Sequence, residues 1–387
     1  MRVSLINKTL GLLFLMFFIF TVLFPIGYFN KVLFFLLGVV HLVNIKSIKL
    51  VTISPIIVLF IFSFSFIVSF INKVDIDLRL QFFFSVLILF LIYPIYKSKI
   101  NIDFIVKITG IFIIVYTGLA AIIILFNINF PNSDFIKQLY FEYSLGAHGL
   151  RDFKFDSITF HIGTVPFLYL SLNLFLISFM QKKSFLKLFV IILTIIVIFL
   201  SGSRGLIISS ILGVSYIIYV KSKFFFKVIF VGALFITSIF LLIFLIKHTI
   251  FFSYNETSNN IKMGHMNSFF NNLNLFNFFV GDGLASIYYT TGLNAYKAHT
   301  EITPLDMFRY FGFLLTPVLY YVIVFPINNF KYYLGENKIY VVLFLIYLAN
   351  SFTNPTFFNS YGLLIVLWYW SKILNKSKKM VNEEIYE

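Results

Sequence analysis

Between Gly281 and Gly312 the sequence GDGLASIYYTTGLNAYKAHTEITPLDMFRYFG gathers Asp282, Lys297, His299, Glu301, Asp306 and Arg309, in a chain that otherwise keeps ionisable groups at the ends of long apolar runs. Titratable groups clustered beside a membrane mark a candidate site, although a solvated outer loop would carry the same residues. Of the six histidines, His299 is the best-placed general base: an imidazole titrates near neutrality, and Glu301, two residues on, could orient or charge-balance it. A second candidate is SGSRG at 201–205, where a tight turn carries Arg204 between two apolar runs. Its glycines and serines allow adjacent helices to reverse, so that the second helix begins at Arg204 and aims a fixed cation and a helix N-terminus at one spot. No HExxH pairing, DxD carboxylate pair, Walker loop, GxGxxG, GxSxG or SxxK motif occurs in support of metal, ATP, redox or acyl-transfer chemistry. No metal or cofactor is expected.

The elements that must hold these residues are membrane helices. Hydrophobic residues fill 60% of the 387 positions and charged residues 12%, about half the charged share of a soluble domain, and the mean hydropathy is +0.96. Apolar runs at 9–27, 32–45, 50–71, 81–96, 107–127, 159–180, 187–202, 205–221, 227–247, 304–327, 338–353 and 357–371 predict twelve helices, most of them near the roughly 20 residues that cross a bilayer. Residues 1–387 therefore read as one all-α, polytopic integral membrane domain. The first run follows Arg2 and Lys8 without a small-residue cleavage site and is expected to stay as a span. Short basic segments such as QKKSFLK and KSKFFFK put both termini, including the tail from Lys372 to Glu387, in the cytoplasm. The net charge of +15 is spread between the spans, which predicts contact with anionic headgroups and no nucleic acid. With no cysteine, disulfides and thiolate chemistry are excluded.

In this orientation two outer segments are long, 128–158 and 248–303, and these are expected to cover a site. The stretch from Asp134 to Tyr143 has the amphipathic character of an interfacial helix. Only five of the 30 basic residues are arginines; Arg2 lies inside, whereas Arg79, Arg151, Arg204 and Arg309 fall on the outer face. Any one of them could be snorkelling to the interface. Arginine kept where positive charge is disfavoured nevertheless points to guanidinium geometry, and so to a phosphate or diphosphate ligand at the outer leaflet.

SGSRG at 201–205, the stretch from Lys262 to VGDG at 280–283, AHTEITPLDMFRYFG at 298–312 and the basic HGLRDFKFD at 148–156 together resemble the O-antigen polymerase and O-antigen ligase superfamily. In that superfamily a helix start with Ser-Arg, an arginine leading to a G-x-G turn and a His-Asn helix entry recur in this order. Here His299-Thr300 stands for the His-Asn pair and Lys262 for the arginine. The resemblance implies a metal-independent, inverting glycosyltransferase of the membrane GT-C type. It would act on undecaprenyl-diphosphate-linked glycan donor and acceptor at the periplasmic face of the bacterial inner membrane, with a flippase and a chain-length regulator as candidate partners. Arg204 and Arg151, helped by Lys262, would hold the leaving diphosphate, and His299 with Glu301 would activate the acceptor hydroxyl. Arg309 would bind a second phosphate or anchor the acceptor.

Loop sizes and the Phe, Ile and Lys bias favour the polymerase over the ligase of the same superfamily, which transfers finished glycan to lipid A core. A flippase or other transporter without chemistry also suits twelve spans. Against it stand the unequal outer loops and the lack of charge within the helices.

Overall fold

The computed structural model describes residues 2–43, 51–72, 74–126, 133–152, 156–223, 257–327 and 338–383, with positions 240 and 243 besides. Its elements run α1 (Arg2–Leu23), α2 (Phe29–Val43), α3 (Ser54–Ile71), α4 (Ile76–Ser85), a 3-10 stretch (Val86–Leu91), α5 (Ile92–Ser98) and α6 (Ile102–Leu125). Next come α7 (Ser133–Gln138), a π turn (Leu139–Tyr143), β1 (Ala147–Asp152), β2 (Asp156–His161), α8 (Leu168–Gln181), α9 (Phe185–Leu200) and α10 (Arg204–Lys221). After these follow α11 (Thr257–Asn271), α12 (Leu275–Val280), β3 (Tyr288–Thr290), β4 (Ala295–Lys297), α13 (Thr303–Val324), α14 (Lys338–Ser351) and α15 (Ser360–Glu383).

The chain is a mostly helical membrane protein. Among the described residues five helices are long and apolar enough to cross a membrane: Ser54–Ile71, Ile76–Ser98, Ile102–Leu125, Arg204–Lys221 and Thr303–Val324. Six more apolar helices are shorter. On α9 the exposed face carries Phe185, Leu188, Phe189, Ile192, Ile196 and Phe199, an apolar stripe suited to lipid and not to water. The run expected at 227–247 lies almost wholly outside the described residues, as do residues 384–387 of the expected tail.

Two short antiparallel hairpins, β1–β2 and β3–β4, add strand to the expected all-α architecture. In the first, Arg151 pairs with Ser157 and Asp152 with Asp156, so the segment read as a basic lead-in to a helix contributes strand instead. The amphipathic stretch from Asp134 is α7 and the π turn.

Where the sequence reads as one domain, the residues group into two compact units. The first holds Met1–Thr109, Phe269–Tyr289 and Tyr296–Glu387, the second Gly110–Ser268 and Thr290–Ala295. In the first unit α15 is the central helix, because SYGLLIVLWYW is apolar all round and every residue from Tyr361 to Ser371 is buried. Its polar edges are each satisfied. Trp370 Nε1 donates to Ile323 O at 2.9 Å and Tyr369 Oη to Val324 O at 2.7 Å, which caps the last carbonyls of α13. Trp368 Nε1 donates to Asp103 Oδ1 at 2.9 Å, and Lys372 pairs with the other carboxylate oxygen.

In the second unit α8 is the buried helix, packed on α9 and α10 and touching α6 at Gly110, with small residues at the closest approaches. A Cβ on Gly110 would collide with the Ser171 side chain, and one on Gly213 would lie 2.7 Å from Asn173 Oδ1. Such small contacts let membrane helices approach where no hydrophobic force drives them together.

Candidate functional site

In the first unit the GDG turn at 281–283 fixes where the segment before α13 meets that helix. This helix is broken at Gly312, whose φ of 64° and ψ of 179° are not helical. A break inside a membrane helix frees carbonyls that must find other donors. Here Asp282 N donates to Arg309 O at 2.6 Å and Ser65 Oγ to Tyr310 O at 2.7 Å, while Thr316 Oγ1 reaches back to Met307 O at 3.0 Å. The turn is tied to α3 in the same way: Leu284 N donates to Ser65 O at 3.1 Å and Asn72 Nδ2 to Asp282 O at 2.8 Å. Burial pushes the Asp282 carboxyl above its ordinary range, with Arg309 acting in the opposite direction.

Asp306 and Arg309, three residues apart on α13, form a buried ion pair at 3.2 Å. Asp306 Oδ2 also accepts from Thr300 N at 2.8 Å, and Arg309 donates to the carbonyls of Lys297, at 3.3 Å, and Ala298. The guanidinium lies 4.3 Å from the centroid of the Tyr288 ring. The Tyr310 hydroxyl donates to Ala298 O as well. Residues 297–300 are thus stapled onto the first turns of α13, and His299 is displayed from the middle of that staple.

The His299 ring lies tilted against Phe82 of α4 at 4.6 Å between centroids and meets Tyr310 edge-on at 6.5 Å, and the residue is otherwise exposed. Removal from bulk water lowers its pKa, and the nearby Arg309 charge lowers it further, to about 4. Solvent at the exposed ring weakens both causes, desolvation and the Arg309 charge alike, and leaves their direction unchanged. The neutral imidazole, the form able to accept a proton, is therefore the resting state at neutral pH. Phe82 and Tyr310 hold the ring. Arg309, expected at a ligand, is placed in the interior, 4% exposed.

In the second unit α9 ends at Leu200, Gly202 takes a φ of 63°, and α10 begins at Arg204. The half-buried Arg204 guanidinium reaches Asn259 Oδ1 of α11 at 3.4 Å. Lys262 follows Asn259 by three residues, hence on the same helix face. Lys262 thus stands on the face of the helix that meets Arg204, and the guanidinium with the N-terminus of an 18-residue helix favours an anion there. Arg151 lies in β1, and its side chain lies outside the described part of the structure.

Phe82, Tyr288 and Asn259 did not emerge from the sequence. The Asp306–Arg309 pair did carry a signal, since opposite charges three apart on a helix favour each other. Among the described residues no group of three or more metal-ligating side chains occurs. No known protein family, characterised protein or solved structure matches the chain.

Proposed function

We propose that the chain is a glycosyltransferase that polymerises undecaprenyl-diphosphate-linked oligosaccharide repeat units at the periplasmic face of a bacterial inner membrane. It would have twelve spans and both termini in the cytoplasm. In this reading His299 takes the proton of an acceptor hydroxyl, and the oxygen attacks the anomeric carbon of the donor. The bond from that carbon to the diphosphate breaks with inversion. The lipid diphosphate leaves with the electron pair, its charge met by Arg204, Lys262 and Arg151. Glu301, two residues from His299 in sequence, would charge-balance the imidazolium, while Arg309 acts as a positioning residue by holding Ala298 and by keeping His299 neutral.

Arg204 carries this reading: a guanidinium at the start of a membrane helix, beside Asn259, which is itself one turn from Lys262. Such a pair of fixed cations suits a leaving diphosphate better than a transported neutral glycan. A deletion strain tests the reaction. Loss of long-chain glycan with a single-repeat product remaining supports polymerisation. Polymer left on its carrier would mean the ligase reaction, and repeat units trapped inside would mean a flippase.

A further inference from the structure

Arg79 is the most exceptional cation in the first unit. It lies in the first turns of α4 and is 5% exposed, with its guanidinium over the rings of Phe66 and Phe70 of α3, 5.5 and 5.3 Å from their centroids. Its Nε and Nη1 are buried and have no hydrogen-bond partner, and no carboxylate pairs with it among the described residues. The nearest acid before it in sequence, Asp75, caps the helix by accepting from Asp77 N at 2.9 Å and Leu78 N at 3.2 Å.

A guanidinium does not shed its proton, so burial cannot be relieved by neutralisation. The two aromatic faces compensate part of the lost hydration and supply no hydrogen-bond acceptor. A buried cation with unmet donors is unfavourable unless an anion completes it. Snorkelling, the bland alternative, would bring the head group into water, whereas here two of its three nitrogens are buried.

The surroundings narrow the anion. α4 continues with the 3-10 stretch and α5 as a 23-residue apolar run long enough to cross a membrane, and Arg79 stands in its first turn, the end of a span where lipid phosphates are met. Phe82, three residues further along the same helix face, is the residue the His299 ring leans on, at 4.6 Å between centroids. We propose that Arg79 binds a lipid-borne phosphate, so that the group carried by that lipid arrives beside His299. If the proposed polymerase reaction holds, the lipid is the carrier of the acceptor repeat unit. The anion site itself rests on the burial of Arg79 and not on that reaction.

The test is lipid retention by the full-length protein in zwitterionic nanodiscs, read by native mass spectrometry in an Arg204→Ala background. The probes are undecaprenyl diphosphate without sugar and, separately, phosphatidylglycerol. The Arg79→Met change is expected to lower retention of one probe at least ten-fold, with an unchanged melting temperature. Loss of undecaprenyl diphosphate identifies the substrate carrier, and loss of phosphatidylglycerol identifies a bulk anionic lipid; either supports a phosphate site. Unchanged retention of both overturns it. If Arg79→Met does not fold, Arg79→Lys, which keeps the charge and loses the fork, is read instead. A three-fold loss then supports the site, and unchanged retention overturns it. No sugar or turnover enters the measurement, so it succeeds or fails independently of the glycan reaction.

Discussion

Gly281 and Gly312 meet backbone to backbone: a Cβ on Gly281 would lie 2.7 Å from the amide nitrogen of Gly312, and one on Gly312 would lie 2.6 Å from the amide nitrogen of Gly281. Both have positive φ, 86° and 64°. Through this contact the GDG turn supplies the donor that α13 lacks at its break, and the segment bearing His299 is anchored at both ends.

Gly281→Ala and Gly312→Ala should each destabilise the protein by at least about 2 kcal/mol, from the left-handed backbone and the steric overlap combined. Gly118→Ala serves as the control, since a Cβ there meets nothing within 4 Å. Thermal unfolding of the purified protein in detergent checks this. A Gly312→Ala variant that melts with the wild type would contradict the close approach.

The Asp306–Arg309 pair should show strong coupling. Arg309→Met leaves a buried carboxylate without its partner and should cost about 3–5 kcal/mol. Removing both charges as Asp306→Leu/Arg309→Met should recover much of that loss. A double variant as unstable as the sum of the two single changes would mean that the charges do not compensate each other.

The His299 base sets the acid limb of the pH profile. Because its folded pKa is lowered from 6.5 to about 4, the neutral form persists below pH 6.5, and polymerisation should hold through that value and fall only towards pH 4. Phe82→Ala rehydrates the ring and should move the limb upward. The stability term has the matching sign: the unfolded chain binds the proton first, so His299 lowers stability as pH falls from 6.5 to 4 and contributes nothing above. A limb at or above pH 6.5 in the wild type would remove the shielding by Phe82 and Arg309 from the account.

Much of the scaffold was legible because membrane helices announce themselves as long apolar runs. SGSRG was legible for a related reason: one run stops and another starts within five residues, which leaves room only for a turn that begins a helix at Arg204. The break at Gly312 was not, because FRYFGFLL is apolar on both sides and the donors that make the break tolerable, Ser65 and Asp282, lie far away in sequence. Phe82 was hidden among 55 phenylalanines, and nothing local marks the one that meets His299. The hairpins were missed because short strands between the helices lack a buried face long enough to impose alternation. Arg309 was noticed as an arginine on the outer face, while its i,i+3 relation to Asp306 carried the better clue to its interior place.

Arg204 and His299 bear the central claim, and their variants in a deletion strain test it most directly through the length distribution of surface glycan at matched protein levels in the membrane. Loss of a general base costs about 10²–10⁴-fold in rate, so His299→Ala should leave a single-repeat product without a ladder. Arg204→Ala should do the same, and Arg204→Lys, which keeps charge without the fork, should shorten the ladder. A full ladder from Arg204→Ala or from His299→Ala would contradict the account.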